Sequence, residues 1–352
     1  MTTKTTETPL FVNLNYDNEV IRLAQNENPH GASPKVLEAI QNNIKSISLY
    51  PDVILTELKE KLAKKNNVTH DEIIVAPGSC SLIDQLIARL VKKGENIVIP
   101  KLSFIAYKLC AKVHNHECRE AKMENYHVSL NNVLALTDEK TKLIFLANPN
   151  NPTGTFFSQS EITSFLEKIS PKTIVVLDEA YNEYVTDKNF PASLNIYKEY
   201  KNVIILRSFS KIYGLAGLRI GYGIARKSFI DDFESNRIPF TVSSIANIAA
   251  LTALDDDEHV QQSAKRNAKE RDFLTNGLSC LGYKVVPSQS NFVFLYFETT
   301  EERNKVCEIF LENQILVRKM DAFGDDKALR ISTGKSADNK KLVDCLSPVA
   351  VN

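Results

Sequence analysis

The chain has 352 residues, 43% hydrophobic and 24% charged, with 43 basic side chains balanced by 43 acidic ones. At ~150 residues per domain this length points to two domains with a sizeable core, and zero net charge argues against nucleic acid or an anionic membrane as a partner. The longest uncharged apolar stretches, such as residues 292–297, fall far short of the ~20 residues of a membrane-spanning helix.

Residues 1–9 are Thr-rich and carry Glu7. They have neither the apolar run of a secretion signal nor the arginines of a transit peptide, so a cytoplasmic location is expected. The six cysteines (Cys80, Cys110, Cys118, Cys280, Cys307 and Cys345) form no C-x-x-C pair and read as reduced thiols rather than a disulfide framework or a zinc knuckle. Residues 1–45 lack a strand–helix repeat of their own. They are expected to pack with the smaller domain across a junction, with Asn26-Glu27-Asn28-Pro29 as a turn.

From Glu72 onward short apolar runs alternate with amphipathic segments, the pattern of an α/β domain over residues 46–240. Strands are expected at 73–76, 97–100, 143–147, 174–178, 203–208 and 218–225. After 73–76, Leu82, Ile83, Leu86, Ile87, Leu90 and Val91 recur at helical spacing until Gly94; further helices are expected at 161–169 and 229–236. The strands are apolar on both faces, as in a buried, mostly parallel sheet. After Pro239 the pattern changes to helices at 243–254 and 258–281, then strands near 283–286, 291–297, 315–318 and 329–332. A smaller α+β domain over 241–352 follows, and the acidic run 255–258 reads as a solvated connection.

Three segments place unusual polar residues at the carboxyl ends of expected strands, where open α/β sheets build their sites. They are Asn148-Pro149-Asn150-Asn151-Pro152-Thr153-Gly154, Asp178-Glu179-Ala180-Tyr181 and Ser208-Phe209-Ser210-Lys211. Singly, each has a structural explanation: a rigid turn, a helix cap, a surface amine. Together they supply an amine for a Schiff base, a carboxylate for a ring nitrogen, a donor for a phenolic oxygen and an anion cradle, the set pyridoxal phosphate requires.

In this order the motifs resemble the fold type I pyridoxal-phosphate aminotransferases, from about Leu23 to Gly334. That resemblance implies a large domain with a mostly parallel seven-stranded sheet flanked by helices, and a smaller α+β domain. It also implies roles. Lys211 is the Schiff-base lysine and proton carrier, which must be partly neutral; burial, or cationic neighbours such as Arg219, can lower its pKa. Asp178 faces the pyridine nitrogen, and Tyr181 and Asn151 hydrogen-bond the phenolic oxygen. Ser208, Ser210 and Arg219 hold the phosphate together with the turn Gly78-Ser79-Cys80, where Cys80 is expected to pack rather than react. Phe104 stacks on the ring. Tyr50 reaches the phosphate of a neighbouring subunit, which implies a homodimer.

Arg330, in Leu329-Arg330-Ile331-Ser332, matches the arginine that grips the substrate carboxylate, and Arg318 lies twelve residues earlier. With Leu23-Ala24-x-Asn26-Glu27-Asn28-Pro29, Tyr50-Pro51-Asp52 and the run from Gly214 to Tyr222, this arginine pair looks most like the histidinol-phosphate aminotransferases. Their reaction moves an amino group between L-histidinol phosphate and 2-oxoglutarate. Other enzymes on nearly the same scaffold transaminate aromatic or other amino acids, or decarboxylate threonine phosphate, and the cofactor motifs do not separate them. Gly221-Tyr222-Gly223 lacks the third glycine of a dinucleotide fingerprint, since Arg226 stands there. His114, His116 and Glu117 have no further ligand cluster, so no metal site is expected.

Overall fold

The computed structural model describes residues 20–347; residues 1–9, on which the cytoplasmic expectation rests, lie outside them. In chain order the strands are β1 (Ile21–Leu23), β2 (Ile73–Ala76), β3 (Asn96–Pro100), β4 (Glu117–Ala121), β5 (Met123–Glu124), β6 (His127–Val128), β7 (Thr141–Ala147), β8 (Ile174–Asp178), β9 (Val203–Ser208), β10 (Gly221–Ile224), β11 (Lys284–Val286), β12 (Phe292–Tyr296), β13 (Ile315–Lys319) and β14 (Ala328–Ser332). Seven form a sheet in the order β2-β10-β9-β8-β7-β3-β4, and five form a second in the order β1-β13-β14-β12-β11.

The large sheet is parallel from β9 through β8, β7 and β3 to β4. Apart from the edge strand β4, its strands are largely buried on both faces, as their continuous apolar runs require. Ile73, Val75, Ile144, Leu146, Val175, Leu177, Val203 and Ile205 point into one core. Their neighbours Ile74, Leu143, Phe145, Val176, Ile204 and Leu206 point into the other. Burying each such side chain contributes about 1.5–3 kcal/mol.

Within the large sheet two strands differ from the sequence reading, and outside it β1, β5 and β6 were not expected. β10 is shorter than expected and antiparallel to both neighbours, because residues 209–220 hold no α-helix to carry the chain back across the sheet. β4, at the edge beside β3, was not expected: Glu117, Arg119 and Glu120 give it no apolar period, which suits an edge that must resist pairing with another chain.

In the small sheet β1 pairs in parallel with β13, while β13, β14, β12 and β11 are antiparallel. Helix Ser244–Leu254, expected with the second unit, buries Ala246, Ala249, Ala250 and Ala253 in the core that also holds one face of the large sheet. Its small side chains let it lie close against helices Pro34–Asn43 and Thr56–Asn66. Among the described residues no helix is long and apolar enough to cross a membrane.

Beneath the ends of β8 and β9 lies a buried ion pair. Glu179 is fully buried, and its Oε2 accepts from Arg207 Nε at 3.1 Å and Nη2 at 2.8 Å, while Arg207 Nη1 donates to Asn66 at 2.9 Å. Removing one partner strands the other charge away from water. Arg207→Met is therefore expected to lower unfolding free energy by about 3 kcal/mol, read from the urea midpoint; a loss under about 1 kcal/mol shows that the pair does not anchor these strand ends.

Candidate active site

The carboxyl ends of the parallel strands and the facing edge of the small sheet enclose a cavity of about 620 Å³. Ser79, Cys80, Phe104, Asn151, Asp178, Tyr181, Ser208, Ser210, Lys211, Arg219, Arg318 and Arg330 all line it. Of the expected site residues only Tyr50 is elsewhere in its own chain: it is 83% exposed, with its ring 4.6 Å from that of Phe240.

The Asn-Pro loop after β7 is braced from inside. Asn148 Oδ1 accepts the Phe157 amide, Asn150 Oδ1 accepts the Ser103 hydroxyl, and Asn150 Nδ2 donates to Leu102 O and Thr153 Oγ1. These bonds tie the loop to the Ser103–Phe104 segment, so Phe104 and Asn151 are positioned together. Gly154, at φ +78°, allows the small domain to approach: a Cβ there would sit 2.1 Å from Ser288 Oγ.

Asp178 ends β8 in full burial, and burial pushes its carboxyl up to about 6. The Tyr107 hydroxyl opposes that shift by donating to Oδ2 at 2.8 Å, with help from the Ala180 amide on Oδ1 at 3.3 Å. Tyr107 is itself fully buried, stacked on Phe145 at 4.8 Å and edge-on to Phe104 at 5.6 Å.

Lys211 is held down to about 8, first by burial and then by the charge of Arg330, with Arg219 a smaller contributor. Burial was among the expected causes; the fold adds Arg330, which lowers the amine more than the expected neighbour Arg219. Lys211 Nζ donates to Gln25 O at 3.2 Å. Near neutral pH an appreciable fraction of this amine is unprotonated, the form that attacks a carbonyl.

Arg219 adopts φ +53°, a left-handed backbone uncommon for a residue with a Cβ. This directs its guanidinium to Ser210 Oγ at 3.3 Å and Ala216 O at 2.9 Å. Gly78 makes room for it, since a Cβ there would lie 2.6 Å from Arg219 Nη2. No side chain caps helix Ser79–Leu90, which starts at that glycine, so its first amides are available to an anion. Burial pushes the Cys80 thiol up, which opposes thiolate formation and fits a packing role.

Arg318 and Arg330 are direct partners across β13 and β14. Arg330 donates to Asn151 Oδ1 at 2.6 Å and to Ala24 O at 2.7 Å, while its buried Nε has no partner. The first bond turns the Asn151 amide so that its NH2 remains free to donate. Tyr181, a phenol pushed up to about 12 by burial, accepts from Asn26 Nδ2 at 3.0 Å.

Asn26 was expected only as part of a turn. Its left-handed backbone (φ +57°) is one asparagine tolerates. Beyond Tyr181 it binds Ser332 Oγ through its own N–H and receives Asn291 Nδ2 on its carbonyl. Tyr107 was likewise not singled out; its spacing from Phe104 was visible, but not that both belong to the surroundings of Asp178. His114, of the weak metal motif, pairs with Asp84 at 2.8 Å. Among the described residues no group of three metal-ligating side chains occurs.

The buried carboxylate yields a stability prediction for the cofactor-free protein. An unfolded aspartate titrates near ~4 and the folded Asp178 near about 6. Between those values the fold holds a proton that the unfolded chain has released, so stability falls as pH rises through this window. Asp178→Asn is expected to stabilise the cofactor-free protein by about 1–3 kcal/mol at pH 8, with the gain vanishing toward pH 4. Urea titrations across that range check it, and a gain that does not change with pH rules out the buried charge as its cause.

Residues 18–346 match the family model described as aminotransferase class I and II. A histidinol-phosphate aminotransferase of Anaeromyxobacter sp. (strain Fw109-5) is 40% identical over 94% of this chain and 91% of its own length. The crystal structure of histidinol-phosphate aminotransferase from Sinorhizobium meliloti in complex with pyridoxal-5'-phosphate superposes with a TM-score of 0.88 at 27% identity, covering 94% of this chain and 91% of that one. L-threonine-O-3-phosphate decarboxylase from Porphyromonas gingivalis superposes at 0.80 with 26% identity, over 94% of this chain and 99% of that one. The chain belongs to the class I and II aminotransferase family.

Proposed function

We propose that this chain is a pyridoxal-phosphate-dependent aminotransferase that moves the amino group of L-histidinol phosphate to 2-oxoglutarate, as a cytoplasmic homodimer in histidine biosynthesis. The observation that carries the substrate assignment is the cross-strand pair Arg318 and Arg330, in one cavity with Lys211 and Asp178. Two guanidinium forks there suit a substrate pair in which one member presents a phosphate ester where the other presents a carboxylate. The relatives' names support the same choice. All six cysteines are free, the state a reducing compartment maintains.

The residues present fit the cofactor. Ser79, Ser208, Ser210 and Arg219, with the uncapped helix start, would hold its dianionic phosphate; Asp178 would face its ring nitrogen; Tyr181 and the free NH2 of Asn151 would bind its phenolic oxygen. Pyridoxal phosphate supplies, when bound, an electron sink for the bonds at the substrate Cα. Lys211 Nζ would hold it and, when unprotonated, would be the group placed to take the proton from the substrate Cα and deliver it onward. Tyr107 holds Asp178 oriented and, at neutral pH, largely ionised, so that it would favour a proton on the ring nitrogen. Arg330 orients the substrate through its fixed fork, and Arg318 adds the second cation that a phosphate ester needs.

Single-turnover mixing of cofactor-loaded protein with L-histidinol phosphate, L-phenylalanine or L-glutamate, without an oxo acid, tests the assignment through loss of the absorption band of the lysine-bound cofactor. Histidinol phosphate is expected to react faster than phenylalanine by about a hundredfold. Arg318→Gln is expected to narrow that ratio, and Lys211→Ala to abolish band and turnover. If phenylalanine wins, the substrate assignment falls. Release of carbon dioxide from threonine phosphate points instead to the decarboxylase chemistry of the Porphyromonas gingivalis neighbour.

The dimer rests on an exposed apolar strip around Tyr50: Ile47 is 66%, Leu49 70% and Ile238 76% exposed, an arrangement that a second copy would cover. Light scattering is expected to report a dimer, and Tyr50→Phe to release cofactor faster on dilution. A fully active monomer would falsify the shared site.

A further inference from the structure

At the opposite end of the large sheet, the amino ends of β7, β8 and β9 open into a concave cleft of about 820 Å³. Ile174 at the start of β8 lies in this cleft and Asp178 at its end lies in the active site, about 13 Å apart along the strand. Nothing in the aminotransferase reaction uses this end.

Lys142, Lys172, Lys198, Lys201, Arg226 and Lys227 line the cleft, and no acidic residue does, although acidic and basic side chains are equal in number over the whole chain. Two of these cations are already engaged. Lys227 pairs with Asp231 at 3.0 Å and Asp71 at 3.3 Å, and Arg226 donates to the carbonyls of Tyr197 and Lys198. The other four make no ion pair with any described residue. Four unneutralised ammonium groups around one concavity focus a positive potential into it.

The rest of the lining is chemically different. Pro171, Ile174 and Phe229 present carbon surface, and the Phe229 ring is braced against Phe233 at 5.2 Å and an interplanar angle of 22°. Apolar, aromatic surface beside cationic side chains suits a ligand that is flat at one end and multiply anionic at the other. A cleft of this volume lies in the range of small-molecule sites.

We propose that this cleft is a nucleotide-binding site, with the heterocycle against Phe229 and Ile174 and the phosphates among Lys142, Lys172, Lys198 and Lys201. The proposal is independent of the substrate assignment. Calorimetric titration of cofactor-loaded protein, whose active-site cradle is filled, with adenosine triphosphate, inorganic triphosphate and adenosine tests it. The nucleotide is expected to bind about tenfold more tightly than either fragment. The double variant Lys172→Glu/Lys201→Glu, at two exposed positions, is expected to weaken it about tenfold or more while turnover is unchanged. Phe229→Ala, with folding checked by thermal melting, is expected to weaken the nucleotide but not triphosphate. Absence of nucleotide binding overturns the proposal, as does triphosphate binding equally well, which marks a diffuse charge effect, or a double variant that binds like the parent.

Discussion

Arg318 and Arg330 face each other across two paired strands, in a cavity that also contains Lys211 and Arg219, and this gathering of partly desolvated positive charge governs the rest of the site. Like charges in direct cross-strand register oppose one another. The fold orients several of them without neutralising them: Arg330 is held by the Ala24 carbonyl and the Asn151 amide, Lys211 by the Gln25 carbonyl, and Arg219 by the Ala216 carbonyl and the Ser210 hydroxyl. Carbonyl and amide oxygens fix direction while leaving the positive charge for a ligand. A dianionic cofactor and an anionic substrate then supply what the apoprotein lacks, and binding them stabilises the fold by mass action.

The same contacts explain why the site needs three separate parts of the chain. The 24–26 stretch provides backbone acceptors for Arg330 and Lys211, and its Asn26 links Tyr181 above the large sheet to Ser332 and Asn291 in the small one. β1, immediately before it, is anchored as a strand on β13. A residue that reads as part of a turn in the sequence is thus a point at which both sheets are bonded together, next to the Gln25 carbonyl that receives Lys211.

Much of this was legible in the sequence because the chemistry lies at strand ends, where polar residues interrupt long apolar runs. The Asn-Pro loop, Asp178 with Tyr181, and Ser208 with Lys211 stand out against 143–147, 174–178 and 203–208, and each contributes to the cavity, the loop through Asn151. What was not legible depends on register and direction. Arg318 and Arg330, twelve residues apart, become direct partners only once β13 and β14 pair. The reversal of β10 leaves no mark in an apolar run, and β4 lacks an apolar period because it is an edge. Backbone carbonyls have no signature at all, so the acceptors of Lys211 and Arg330 could come only from the fold. Nothing in the sequence around Tyr107 shows that its hydroxyl meets Asp178, which only the fold brings about.

Asp178 shows how the protein sets stability against chemistry. A carboxyl buried at that depth is driven toward its neutral form, yet the pairing with a ring nitrogen that we propose for it requires the ionised one. The Tyr107 and Ala180 donors recover part of the ionised state, and a protonated ring nitrogen placed beside it would recover the rest by direct charge pairing. The apoprotein therefore carries an electrostatic cost that the cofactor removes. Because Arg330 is clamped on two oxygens, the substrate must adapt to the fork rather than the fork to the substrate. On the proposed assignment, which Cα bond is broken would follow from where the substrate anion is gripped, so the same pair of arginines would govern both chemical outcome and substrate choice.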